Sequence, residues 1–269
     1  MTSKKAISLL LFLIVLGLVF FVWNPLRSSR VVVVANIGLY AGRGTWNDSV
    51  QAYQAMFAWM NYSFAVLSAE DINNGRFENC SALCIPGGDM YAYSQDISSA
   101  GKENIMRFIQ EGGGYIGICG GAYFAAEKVE WRGSQLEMAT LNLFSGTASG
   151  PIDEIAPYPE YTMCKVDIVN HVHPITRSEN DSMTILYYWG PAFSASTDSN
   201  VTILGCYEKG NRTAILAFPF YQGRVFLIGT HPEIEEGNSR DGVQFGNDLI
   251  DPDSEWNLML QATSWSIGT

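Results

Sequence analysis

Positive charge is scarce in this chain. Its 269 residues carry 16 lysine and arginine side chains against 27 aspartate and glutamate, a formal net charge of −11. Beyond residue 30 the balance is 12 against 27, a net of −15. Such a surface repels phosphate backbones and anionic headgroups, and no basic run or aromatic-basic interleaving offsets it, so nucleic acid is not an expected partner. Histidine is scarcer still, limited to His171, His173 and His231. No C-x-x-C and no His/Cys cluster has the spacing of metal ligands, so no metal is expected. Gly112, Gly114 and Gly117 match G-x-G-x-x-G, but a dinucleotide loop follows a strand and here the apolar run comes after the first glycines, so no cofactor is expected either. Internal repeats and low-complexity tracts are absent. Cysteine is limited to five. Cys80 and Cys84 lead into a strand, where their spacing spans about 13 Å against a bridging limit of about 7 Å. Cys164 and Cys206 lie in separate strand-like runs and are either a bridge between neighbouring strands or two buried thiols.

A long uncharged run is present at the start. Ala6 to Trp23 holds 18 residues without a charge, about 27 Å as a helix against a hydrocarbon core of about 30 Å. The run follows Lys4 and Lys5 as a secretory signal would, yet it ends FFVWNPLRSSR with no small-x-small cleavage pattern. An uncleaved anchor is therefore preferred over a cleaved signal or a buried amino-terminal helix. The resulting division is an anchor at 1–24 (helix about 6–23), a linker at 25–30 and one globular domain at 31–269, since a chain that is 47% hydrophobic has core enough for one domain. Basic residues nearly balance across the span, so orientation rests on six N-x-S/T sequons at Asn47, Asn61, Asn79, Asn180, Asn200 and Asn211, where chance gives about two. They favour an extracytoplasmic domain, although polar loops rich in these residues give the same pattern.

Within the domain, Val31–Asn36 reads as a buried strand, 48–60 as an amphipathic helix, Phe64–Leu67 and Ala82–Ile85 as strands, 102–110 as a helix and Tyr115–Ile118 as another strand. Alternation of this kind predicts a parallel sheet covered on both faces. Strand-like runs dominate afterwards, at 161–169, 184–188, 201–207, 213–218 and 224–228, and several of them are expected to form antiparallel additions at the sheet edge. A helix at 253–265 closes the chain.

The most informative stretch is GGGYIGICGG, residues 112–121, followed by AYFAA. A short strand ending in a cysteine flanked by glycines, with helix formers next, has the layout of a nucleophile elbow, in which the nucleophile sits on a strained turn whose neighbours must lack a Cβ. Cys119 is the nucleophile of this reading. Its base is His231, which follows the strand in GRVFLIGTHPEIEE and therefore arrives at the same carboxyl-end edge of the sheet. Glu233 would orient the imidazole. The bare backbone of Pro86-Gly87-Gly88 offers N–H groups to an oxyanion, with the N–H of Gly88 partnered by that of Gly120. Asp89 either holds a substrate amine or caps its own turn. Tyr91 and Tyr93 beside that loop are candidates to gate access, and Tyr187, Tyr188 and Trp189 either pack the core or wall the pocket. His171 and His173 have no carboxylate following them and are weaker candidates for the base.

A PGG loop, a G-x-C-x-G elbow and an H-x-E motif in this order resemble the class I glutamine amidotransferase-like superfamily. Within it, GLYAGRGTWNDSV, IPGGDMYAY, GGGYIGICGGAYFAA and LFSGTASGPI are similar to the domain at the amino end of biotin-protein ligases, which also occurs as stand-alone prokaryotic proteins. The resemblance implies a flavodoxin-like three-layer sandwich and a Cys119–His231–Glu233 triad, and it gives the cluster Tyr187, Tyr188 and Trp189 the place of a tyrosine-rich motif in those relatives. No biotin-transferring domain is recognisable, and the chain is too short to add an ammonia-consuming synthetase. Gly120 stands where protease-type relatives carry a histidine, so their triad does not apply. The expected activity is that of a free-standing, membrane-anchored hydrolase or acyl transferase on an amide or related acyl bond of a small molecule or peptide. The alternative is a binding module that retains the pocket.

Overall fold

Strand and helix alternate through the first half of the computed structural model, which describes residues 35–197, 200–251 and 253–269. The order is β1 (Ile37–Tyr40), α1 (Asn47–Trp59), β2 (Phe64–Leu67), α2 (Ala69–Asn73), β3 (Ala82–Ile85), α3 (Met90–Asp96), α4 (Ser99–Gln110), β4 (Gly114–Ile118) and α5 (Gly120–Ala125). Strands then take over: β5 (Ala126–Trp131), β6 (Ser134–Gln135), β7 (Phe144–Gly150), β8 (Thr162–Ile168), β9 (Ser182–Tyr187), β10 (Ala192–Ala195), β11 (Thr202–Tyr207), β12 (Thr213–Phe220) and β13 (Gly223–Ile228), before α6 (Trp256–Ile267). All belong to one mixed sheet ordered β2-β1-β3-β4-β13-β12-β10-β7-β5-β6, with β11, β8 and β9 branching from β12. From β2 to β13 the pairing is parallel, and β12 turns it antiparallel.

The central strands are apolar on both faces because both faces are covered. Ile37, Leu39, Cys84, Ile116, Ile118, Phe226 and Ile228 share one core with Tyr53 and Phe57 of α1 and Leu258 of α6. Alternate residues, among them Tyr40, Leu83, Tyr115 and Leu227, share a second core with Ile105 and Phe108 of α4. Period-2 alternation between two cores is what a flavodoxin-like sheet between helical layers requires. Local signals set the helix starts: Ser68 and Asp71 form a reciprocal capping box on α2, and Ser98 caps α4.

Three expectations meet the structure differently. The anchor at 6–23 and the linker at 25–30 lie outside the described residues; among those described, no helix is long and apolar enough to cross a membrane. Of the strand expected over Val31–Asn36, residues 31–34 lie outside the described residues and 35–36 are not strand, and the first described strand is Ile37–Tyr40. Gly38 breaks its apolar run, and a Cβ there would meet Leu67 Cδ1 at 2.6 Å. The alternative of a Cys164–Cys206 bridge also fails. β8 and β11 are neighbours, but their register pairs Cys206 with Asp167 and leaves both cysteines free. All six sequon asparagines are exposed.

Ile116 is fully buried in β4. Replacing it with alanine should lower unfolding stability by about 2–5 kcal/mol, as a urea titration would show, because the sheet strands around it cannot collapse into the void.

Candidate active site

The carboxyl ends of β3, β4 and β13 lie side by side, which brings together three segments far apart in sequence. At the end of β4 the chain turns sharply, and Cys119 adopts φ 45°, ψ −104°, a left-handed conformation costly for a side chain with a Cβ. Its N–H donates to Ile228 O of β13 at 3.0 Å, which ties the turn to the sheet. The elbow then packs backbone to backbone on the loop after β3. A Cβ at Gly120 would fall 2.2 Å from Gly88 O, and one at Gly121 would fall 2.0 Å from Ile85 O. These glycines are the condition for bringing the backbones of Gly88 and Gly120 against one another, and among the described residues neither N–H donates to a protein acceptor. Tyr93 supports the loop from behind, donating to Gly87 O at 2.9 Å. It is fully buried, so it is not the gate expected from its position; Tyr91 is 46% exposed at the pocket mouth and does occupy such a place.

His231 follows β13 and is held by its own N–H donating to Leu186 O at 2.9 Å. Its Nδ1 lies 2.9 Å from Glu233 Oε1, and both side chains are almost completely buried. Gly87 is packed so closely that a Cβ would meet His231 Cε1 at 2.4 Å. The partner not foreseen from sequence is Ser49, in the first turn of α1. Its Oγ donates to Glu233 Oε1 at 2.5 Å and accepts from the Gly87 N–H at 3.1 Å. One hydroxyl therefore joins the carboxylate beside the histidine to the glycine loop after β3. Sequence gave no hint of this, since a serine at a helix start is ordinarily read as a cap.

Charge is distributed accordingly. Burial alone would push the His231 imidazole down, but the facing Cys119 sulfur and the Glu233 carboxylate outweigh it and raise its pKa to about 10. His231 Nε2 is buried without a hydrogen-bond partner, while the Cys119 thiol donates to Tyr188 O at 3.5 Å. A buried imidazolium N–H lacking an acceptor is costly, and the Cys119 sulfur is the group that faces it. Burial raises the thiols of Cys80, to about 11, and of Cys84, Cys164 and Cys206, which disfavours their reaction.

A 680 Å³ cavity opens above Cys119 and His231. Its walls are aromatic: Trp46, Tyr91, Tyr123, Trp131, Tyr158, Tyr188 and Trp189, with Gly88, Asp89, Met90 and Leu136 completing them. Trp46 stands edge-on to His231 with ring centroids 5.1 Å apart. Tyr188, Trp189 and Tyr158 form a continuous stack, at 4.1 Å and 4.5 Å. Trp189 is a second left-handed residue, at φ 62°, pinned by its Nε1 donating to Glu160 O at 2.9 Å. Tyr187, by contrast, is fully buried and belongs to the core. Asp89 caps α3, accepting from the N–H groups of Tyr91 and Ala92 through Oδ1, and also lines the cavity. His171 and His173 lie elsewhere, the first against Asp181 and the second against Trp265. Trp46, Trp131 and Tyr158 escaped the sequence reading because nothing near them in the chain marks them as pocket residues.

Residues 35–251 match the family described as biotin-protein ligase, N terminal. The chain is 24% identical over 220 residues to a biotin–protein ligase of Schizosaccharomyces pombe, covering 76% of this chain and 34% of that protein. It is 38% identical over 163 residues to an uncharacterized protein of Chlamydia muridarum, covering 58% of this chain and 61% of that one. The match thus spans only part of the length of either relative. Among solved structures, a glutamine amidotransferase of Thermotoga maritima superposes with a TM-score of 0.52 over 87% of this chain and 99% of that chain, at 14% identity, a likeness of fold alone.

Ser49→Ala should destabilise the fold by about 1–3 kcal/mol, because it strands the Gly87 N–H and one side of the Glu233 carboxylate. It should also slow alkylation of Cys119 by iodoacetamide while leaving Cys206, the least buried of the remaining cysteines, at its own slow rate.

Proposed function

The chain belongs to the family of biotin-protein ligase N-terminal domains and has a glutamine amidotransferase-like fold, and from that premise we propose that it is a cysteine-dependent hydrolase or acyl transferase acting on an amide or related acyl bond. The observation that carries this reading is the buried chain of contacts from Gly87 through Ser49 and Glu233 to His231, at whose end Cys119 is held in a strained turn beneath a cavity.

In the proposed reaction the Cys119 sulfur attacks the acyl carbon and forms a C–S bond, while the carbonyl electron pair moves onto oxygen. The N–H groups of Gly88 and Gly120 stabilise that oxyanion. Collapse breaks the bond to the leaving group, which takes a proton from His231 Nε2. Water, or an acceptor amine, then releases the acyl group from the thioester, with His231 taking the proton back. Glu233 keeps the imidazole in the orientation that presents Nε2 to the sulfur and offsets its charge during both halves.

The cavity narrows the substrate. No lysine or arginine is among its lining residues, so its one cationic group is the His231 imidazole at its floor, which the proposed reaction already uses. Its aromatic walls suit a neutral or cationic apolar group, and Asp89 stands where it could meet an amine. The proposal retains the membrane anchor at 6–23 and an extracytoplasmic domain, with which the exposure of all six sequon asparagines is compatible.

Incubating the full chain with amide, ester and peptide libraries should yield product release that falls by about 10³-fold or more in Cys119→Ser. Intact mass should detect an acyl adduct on Cys119 during turnover. A ligand bound equally by wild type and Cys119→Ser, with neither adduct nor product, would make the domain a binding module instead.

A further inference from the structure

A second concentration of chemistry lies outside the cavity, in the irregular segment that joins the His231–Glu233 loop to α6. Glu236, Asp251 and Glu255 each present a carboxylate oxygen, and the three atoms lie within 4.8 Å of one another. Glu236 and Glu255 are 4% and 3% exposed. Both oxygens of Glu236 are buried without a hydrogen-bond donor among the described residues. Three carboxylates gathered in this way repel one another, and burial removes the water that would screen them. The nearby cation, Arg240, is already engaged: its guanidinium bonds Glu235 Oε1 and Ser254 Oγ, each at 2.6 Å, and lies 4.0 Å above the Trp256 ring. Asp241 is occupied too, accepting from the N–H groups of Glu235 and Val243.

We propose that Glu236, Asp251 and Glu255 bind a hard divalent cation, Ca²⁺ in preference to Mg²⁺. Their oxygens are spaced so that one ion with contacts of about 2.3–2.6 Å can reach all three with small side-chain adjustment. The set is oxygen only, with no histidine or cysteine, which selects against zinc and copper. It sits on irregular backbone, which tolerates the loose coordination of Ca²⁺ better than the strict octahedron of Mg²⁺. Spacing in the sequence hides the site, since its members stand 15 and 4 residues apart. The position suggests what the ion does. Trp256, the residue after Glu255, donates its indole N–H to Glu233 O at 3.1 Å. An ion shared by Glu236 and Glu255 would close the loop between these two points and fix the backbone that carries His231 and Glu233. This site stands whether or not Cys119 turns over a substrate.

The test is thermal unfolding of the full chain after stripping with EDTA, with CaCl₂ or MgCl₂ added back, together with calorimetric titration of CaCl₂. The expected result is one Ca²⁺ per chain, a Tm rise of about 5–10 °C at Ca²⁺ a hundredfold above Kd, and a smaller rise with Mg²⁺. Glu236→Gln and Glu255→Gln should each weaken Ca²⁺ binding by about 10-fold or more without lowering the metal-free Tm, since each removes repulsion. Should one variant not fold, the other and Asp251→Asn carry the comparison. No heat and no Tm change with either salt in the wild-type chain would overturn the proposal. So would a Ca²⁺ response that persists undiminished in the variants, or a Tm that responds to acid but to neither cation, the sign of carboxyls held together by shared protons.

Discussion

A single buried carboxylate oxygen, Glu233 Oε1, is the point on which the site depends. It accepts from Ser49 Oγ of α1, 184 positions away, and meets His231 Nδ1 at 2.9 Å. Through Ser49 it reaches the Gly87 N–H, and the Glu233 backbone carbonyl is held by Trp256 of α6. A carboxylate in a fully buried position is tolerated only where hydrogen bonds and an opposite charge replace its lost hydration. Here a hydroxyl and a histidine provide them at Oε1, while Oε2 is buried without a partner among the described residues. The same compensation that makes the carboxylate tolerable fixes the histidine's orientation and locks the glycine loop in register with the elbow, so folding and the arrangement of the reactive groups are one requirement.

The sheet makes this requirement easy to meet. Parallel strands β3, β4 and β13 end together, so the loops that leave them are neighbours without any long excursion. Glycine does the rest at closest approach: at Gly87, Gly120 and Gly121 even a methyl group would collide with the histidine ring or with backbone. Of the seven non-glycine residues at positive φ among those described, Cys119 and Trp189 both line the cavity, one at the elbow and the other in the aromatic wall. Around them the cavity is lined mainly by aromatic rings, with Asp89 and His231 its titratable groups besides the tyrosines and Cys119.

Much of this was legible in the sequence because it is written locally. β2 and β3 fall where the apolar runs end, and the elbow, the Pro86–Gly88 loop and His231 with Glu233 each announce themselves within a few residues. What stayed hidden depends on distant partners or on weak local signals. Ser49 acquires its role only when α1 docks against the His231 loop. Strands β5 and β7, AEKVEW and FSGTASG, carry charges, serines and glycines rather than β-branched runs and pass for loops. β1 is not legible at Ile37–Tyr40 because Gly38 interrupts its apolar run. Glu236, Asp251 and Glu255 share no period, and only the return of the chain at α6 gathers them.

His231 lies buried between the Cys119 sulfur and the Glu233 carboxylate, which together hold its imidazole protonated. With only three histidines in the chain, an NMR pH titration of the imidazole nitrogens can resolve each of them. One imidazole, absent from His231→Ala, should remain protonated well above pH 8, in keeping with a pKa of about 10, and should lose its proton at lower pH in Cys119→Ser and in Glu233→Gln. A His231 that instead titrates at or below the ordinary histidine value of about 6.5, unchanged by either substitution, would contradict the account.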